Sequence, residues 1–432
     1  MAPRSMSSAE HRSARLERLR EILRNSLWFL PLVFLVGALV LANFTMEIDE
    51  VLTRDVEIRA RMEANTEEAR IVLATIATSI LTFLGVVFSV TLVALQMASN
   101  QYSPRVVRSF VRSKITKLTL ASFMGTFVFS IYSLGSFDLD DTPTVPVVSA
   151  ATAMLLVIID LFIFIAFVHA LVRSMRVTYV IETVAGETRR SADDGAVARP
   201  DVTEVDVASL GPPDHLVRFD RHPAILAGVE ADRLVELARH AGAVVRVTAQ
   251  VGDHLPTDIV LFELWGGEVS LAQLESCLVL DQERTMYQDT AYGIRQLVDI
   301  AIRALSPAIN DPTTAVQVID RLVDILARIG RQNRRRNGLR DRNGDLRVIF
   351  RIPTWGELVE LAFTEIIVFG VDSPQIVRRL LAAFDDLEQL VPPELHGPVA
   401  EERDQLRAAA ERRLPAGVDR RTVLSPNRRG MG

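Results

Sequence analysis

The chain has 432 residues, 49% hydrophobic and 24% charged, with a formal net charge of −6 and a mean hydropathy of +0.22. That length leaves room for two or three units, and the hydropathy is high for a wholly soluble chain. A negative net charge without a global basic footprint argues against a nucleic-acid binder, and a single cysteine, Cys277, leaves no disulfide framework or thiolate metal cluster.

Residues 1–26 read as a basic amphipathic segment. Leu16, Leu19, Ile22 and Leu23 share one helical side and Arg12, Arg15, Arg18 and Arg20 lie mostly elsewhere, a pattern suited to a membrane surface. No cleavable signal peptide is evident, so the first apolar run acts as an uncleaved anchor. A four-helix transmembrane domain follows over residues 27–176, with spans at about 27–42, 71–97, 118–134 and 147–171. The second is the longest, roughly 40 Å as a helix against the roughly 30 Å hydrocarbon core. Asn43 to Arg70 reads as a mixed, acidic-leaning loop, and the loop after the third span carries Asp138, Asp140 and Asp141 without a basic residue. The N-terminus, the loop after the second span and the C-terminal region are rich in Arg. The positive-inside rule therefore predicts a multi-pass cell (inner) membrane protein with both termini cytoplasmic.

Residues 177–213 read as a polar connector, 214–412 as a cytosolic α+β domain with a small β unit followed by helices, and 413–432 as a disordered tail. Strands are predicted at His215–Phe219, Ala224–Gly228, Val244–Ala249 and Asp258–Leu264, the last two bracketing a turn at Gly252-Asp253. Helices are predicted over Ala231–Ala241, Arg284–Ala304, Pro312–Ile329, Trp355–Val368, Pro374–Leu390 and Pro398–Arg412. The run Arg331–Gly344 reads as a solvated loop.

The polar residues of the second span, Thr75, Ser79, Thr82, Ser89 and Gln96, fall close to one helical face. Such a face can line a permeation path, hydroxyl and amide dipoles replacing hydration; it can equally be a packing seam, since small polar residues fill close membrane interfaces. Asp160 sits mid-span in the fourth segment, where a carboxylate costs roughly 2.5–3.5 kcal/mol and turns toward the bundle or water. It is either a coupling site for protons or cations or structural glue, with the second-span hydroxyls as expected partners. After Pro104, Arg105, Arg108 and Arg112 lie at i, i+3 and i+7, as in an interfacial helix on anionic lipid headgroups or a simple topology anchor. In the soluble part the densest polar run holds Arg284, Gln288, Asp289, Arg295 and Asp299, with Gln288, Tyr292, Arg295, Asp299 and Arg303 along one stripe. It ends at Asn310-Asp311-Pro312, where Asp311 suits an N-cap and the free N–H groups beyond it suit an anion.

Two long motifs carry a family resemblance. Thr82-Phe83-Leu84-Gly85-Val86-Val87-Phe88-Ser89 through Leu95-Gln96-Met97-Ala98-Ser99-Asn100-Gln101-Tyr102-Ser103-Pro104-Arg105 is one; the other is Arg284 to Ala315, with Gln288-Asp289, Arg295-Gln296-Leu297-Val298-Asp299 and Ser306-Pro307-Ala308-Ile309-Asn310-Asp311-Pro312. Over about Leu27 to Leu390 the chain resembles the bacterial predicted integral membrane proteins of domain of unknown function 2254. The resemblance implies a membrane domain with a cytosolic C-terminal domain and supplies no activity or catalytic residue.

No G-x-x-x-x-G-K-[ST], H-E-x-x-H or G-x-S-x-G occurs, and the seven histidines are scattered, so the reading is a non-enzyme with no cofactor and no metal. The expected function is an oligomeric channel-like permeation protein, its second spans lining the path under control of the cytosolic domain. The alternative is a membrane-anchored sensor or scaffold with a concave polar site around Arg284, Asp289, Arg295 and Asn310. The expected partners are the bilayer and its anionic headgroups and further copies of the chain, without nucleic acid.

Overall fold

The computed structural model describes residues 29–53, 66–101, 114–136, 146–194, 202–332, 337–413 and 420–428. It divides into two compact units, Met1–Arg176 and Val177–Gly432.

The first unit holds α1 (Phe29–Thr53), α2 (Thr66–Gln101), α3 (Lys114–Ser136) and α4 (Val147–Ser174), each long and apolar enough to cross a membrane. Phe34 of α1 approaches Gly125 of α3 closely, where an added Cβ would lie 3.5 Å from the Phe34 carbonyl oxygen. Small residues permit such approaches between spans, and α3 concentrates them: Ala121, Ser122, Gly125, Thr126, Ser130 and Ser133 are all buried. α1 runs well past the predicted end at Ala42, absorbing the stretch read as the start of a loop. Asp49 explains how an acidic residue is tolerated there. Its carboxylate accepts from the backbone N–H groups of Val148 (2.7 Å) and Ser149 (3.0 Å) and from the Ser149 hydroxyl (2.7 Å), capping the start of α4 from a neighbouring helix.

The second unit opens with α5 (Val177–Asp194), a helix where a polar connector is expected. Its Val180, Ile181, Val184, Ala185, Thr188 and Ala192 repeat at helical spacing and are buried. Polar side chains on its other faces hide that stripe from a composition-based reading. Two sheets follow. The larger has the order β1 (Val202–Thr203), β8 (Gly338–Arg340), β9 (Leu346–Phe350), β4 (Ala243–Val247), β6 (Val260–Gly266), β2 (His215–Arg218), antiparallel except for β4 beside β9. The smaller is β5 (His254–Leu255), β3 (Ala224–Val229), β7 (Leu278–Asp281). They share one core with α6 (Ala231–Ala241) and α7 (Leu271–Glu275), filled by Leu226, Leu234, Val245, Leu255, Phe262 and Leu274. β4 and β6 pair as predicted, but the chain between them is not a simple hairpin: β5 leaves to join the other sheet. Neither sheet closes on itself among the described residues. β8 also occupies part of the run read as a loop, because Gly338–Arg340 pair between β1 and β9 and Asn337 accepts from the Val205 N–H.

The helices α8 (Thr290–Ala304), α9 (Pro312–Arg331), α10 (Trp355–Gly370), α11 (Pro374–Leu390) and α12 (His396–Arg413) pack as a bundle with α5, and a last turn, α13 (Arg420–Val423), lies on α11. α8 starts six residues later than predicted, since Asp289 caps it and Gln288 adopts a left-handed φ of 56°. Residues 1–28, 102–113, 414–419 and 429–432, including the basic N-terminal segment and Arg105, Arg108 and Arg112, lie outside the described residues, whereas 420–428 of the stretch read as a disordered tail are ordered by α13 and by Arg428 donating to Asp386.

Candidate functional site

On α2 the buried residues Ala69, Leu73, Ala77, Ile80, Val87 and Ala94 form one stripe. At about 100° per residue, Thr75, Thr78, Ser79, Thr82, Ser89 and Gln96 fall in an arc of roughly 100° on the opposite side. All six are exposed in the single chain. The threonines are satisfied locally, Thr78 donating to the Ala74 carbonyl (2.9 Å) and Thr82 to that of Thr78 (3.1 Å). Ser89 and Gln96 make no hydrogen bond to the described residues. The small-polar packing seam expected as one reading of α2 is instead supplied by α3.

Asp160 lies on the buried stripe of α4 with Ser149, Ala150, Ala153 and Phe167, whereas Leu155, Ile158, Leu161 and Phe162 on its other faces are exposed. Its partner is not a second-span hydroxyl: Ser122 of α3 donates to its Oδ1 at 2.5 Å. The second oxygen, Oδ2, is buried with no hydrogen-bond partner among the described residues. Asp160 lines a cavity of about 180 Å³ between α2, α3 and α4, together with Thr75, Ser79, Phe83, Phe123 and Phe164. The spacing of Thr119, Ser122, Thr126, Ser130 and Ser133 would have marked α3 as the partner helix, but the second span draws attention by its length.

In the second unit the conspicuous polar run is internally consumed. Arg284 grips Asp289, Nε and one terminal nitrogen donating to Oδ2 at 3.0 and 2.9 Å, and stacks 5.2 Å from the Tyr292 ring. Asp289 in turn accepts from the Tyr292 N–H at 2.8 Å. Burial pushes its carboxyl up, against the pull of the Arg284 guanidinium. Gln288 exchanges two hydrogen bonds with the Val229 backbone at the end of β3, outside the stripe predicted for it. Arg295 donates to Asp299 (2.8 Å) and to both oxygens of Glu365, tying α8 to α10. The Arg295 guanidinium holds the Glu365 carboxyl below the usual range. Asp311 caps α9, accepting from the N–H (3.1 Å) and hydroxyl (2.6 Å) of Thr314; Asn310 is exposed with φ 49°. The concave site expected among these residues is replaced by ion pairs and caps. A cavity of about 190 Å³ lies elsewhere, lined by Thr248, Asp253, His254 and Arg351 among others. No cluster of three metal-ligating side chains occurs among the described residues.

The family model for predicted membrane proteins of domain of unknown function 2254 matches residues 24–386. An uncharacterised protein of Mycobacterium tuberculosis (strain H37Rv) is 27% identical over 418 residues, covering 94% of this chain and 80% of its own. An uncharacterised protein of Mycobacterium bovis aligns with the same identity and coverage. No solved structure matches the chain.

Proposed function

Because the chain belongs to this family of predicted membrane proteins, we propose that it is a subunit of a homo-oligomeric permeation protein of the cell membrane, with second spans brought together around a polar path. One observation carries the reading. Thr78, Thr82, Ser89 and Gln96 of the α2 arc are exposed on the side opposite its buried stripe, and Ser89 and Gln96 make no hydrogen bond to the described residues. Polar side chains facing hydrocarbon are unfavourable, so that face fits water or a second copy better than lipid. The Arg-rich termini favour a cytoplasmic side for both ends and the second unit, which in this reading acts as the regulatory part.

The test uses Thr82→Cys and Ser89→Cys in the full chain, reconstituted in liposomes. The expected result is copper-phenanthroline cross-linking between copies together with ion flux that Ser89→Leu blocks. Folded protein that neither cross-links at these positions nor passes any ion overturns the proposal.

A further inference from the structure

The cavity at Asp160 touches the outward arc only at Thr75 and Ser79 and is formed within a single copy. Three phenylalanine rings line it, Phe83, Phe123 and Phe164, with centroid separations of 6.4 Å (Phe83–Phe123), 5.8 Å (Phe83–Phe164) and 6.4 Å (Phe123–Phe164). The carboxylate of Asp160, 1% exposed, lines the same space. Ser122 engages one of its oxygens, Thr126 lies alongside one turn further on, and Oδ2 is left over. No Lys or Arg lines the cavity, so the positive charge that normally accompanies a buried carboxylate is not supplied by the protein there.

Aromatic faces attract cations, and a ring cage around a carboxylate is the usual way to hold an ammonium group with apolar substituents. From these observations we infer that the cavity binds a small lipophilic ammonium ion, its charge at Asp160 Oδ2 and its apolar body among Phe83, Phe123 and Phe164. The volume, about 180 Å³, is below the roughly 300–1,000 Å³ of pockets for drug-sized ligands and selects a small molecule. A bare metal cation would need about six oxygen ligands; the lining offers one carboxylate and the hydroxyls of Thr75 and Ser79. Lipid headgroups are excluded by depth, since Asp160 lies roughly 20 Å along α4 from either end. Thr75, Ser79, Phe83 and Leu161 are exposed at the cavity margin, which gives a ligand dissolved in the bilayer a lateral way in.

The test is equilibrium binding of radiolabelled 2-phenylethylammonium to the purified full chain in nanodiscs at neutral pH, competed by the neutral analogue 2-phenylethanol. The amine should bind at least about tenfold tighter than the alcohol, and Asp160→Asn should abolish that preference while leaving alcohol binding unchanged. Phe164→Leu keeps an apolar lining but removes a ring, and should weaken amine binding roughly threefold or more; it decides the matter if Asp160→Asn does not fold. Equal binding of amine and alcohol to the wild type, an amine preference that survives both substitutions, or no amine binding at all by folded wild type would each overturn the inference.

Discussion

Asp49 is the side chain whose loss should most damage the membrane unit. Asp49→Ala removes three hydrogen bonds at the start of α4, two of them from backbone N–H groups. Loss of an N-cap costs about 0.5–2 kcal/mol, and each buried donor left unpaired about 1–3 kcal/mol. The Ser149 hydroxyl retains a partner in Thr45 Oγ1 at 3.2 Å, so its share is small. The sum is about 3 kcal/mol for Asp49→Ala and about 1 kcal/mol for Asp49→Asn, whose carboxamide oxygen still accepts from the helix start. The assay is SDS titration of the purified full chain in mild detergent, followed by far-ultraviolet circular dichroism. A shift under about 1 kcal/mol for the alanine variant, or equal damage by asparagine, would refute the capping role.

Three further outcomes concern the second unit. Gly252→Ala should destabilise it by about 2–4 kcal/mol by thermal unfolding: φ is +99°, and a Cβ would run into the Asp289 carboxylate and lie 2.7 Å from Arg284 Nε. Gly293→Ala should cost about 1–3 kcal/mol, because the new Cβ collides with Thr188 of α5; in a double-mutant cycle Thr188→Gly should recover more of that loss than Thr188→Ala, because the Thr188 Cβ itself would lie 2.8 Å from the new one. Glu402 is buried, accepts from Thr364 at 2.7 Å, and is pushed up by burial and by Glu360 and Glu401. A carboxyl raised in the folded state penalises folding at high pH, and the penalty fades as pH falls through the folded value toward the unfolded one. Wild type should therefore gain stability relative to Glu402→Gln as pH falls from neutral into the acid range in denaturant titrations; a pH-independent difference would contradict the assignment.

Patterns of period 3.6 that run uninterrupted were legible: α6 and α11 have the predicted bounds, and the spans differ mainly at their ends. What stayed hidden depends on partners distant in the chain. Asp49 meets its helix start about a hundred residues away, so Asn43–Thr53 carries the composition of a loop while behaving as a helix. β8 and β9 are short and rich in Arg, and only the neighbouring β4 identifies them as strands. α5 buries a stripe too narrow to outweigh its charged faces. At Asp160 the residue was legible from its depth alone, but its hydrogen-bond donor was not, because several spans carry hydroxyls at helical spacing and only packing decides which one arrives.

Density of polar residues turns out to be a poor guide to chemistry in this chain, and the reason is physical. Arg284, Asp289, Arg295 and Asp311 are each used in joining two elements, loop to helix start, α8 to α10, or the turn into α9, and Asp299 holds Arg295 within α8. Arg284 and Arg295 are paired with carboxylates and Asp311 is spent on capping α9, so little remains to recognise a ligand. The membrane unit has far fewer polar groups, yet it leaves Asp160 Oδ2 without a hydrogen-bond partner at the point where hydrocarbon makes that most costly. Ser130, Ser133 and, in the second unit, Glu275 and Glu402 also bury an oxygen without a partner, but among the described residues only Asp160 does so as a carboxylate lining a membrane-unit cavity. The single carboxylate, rather than the dense motif, is where a ligand has most to gain by binding.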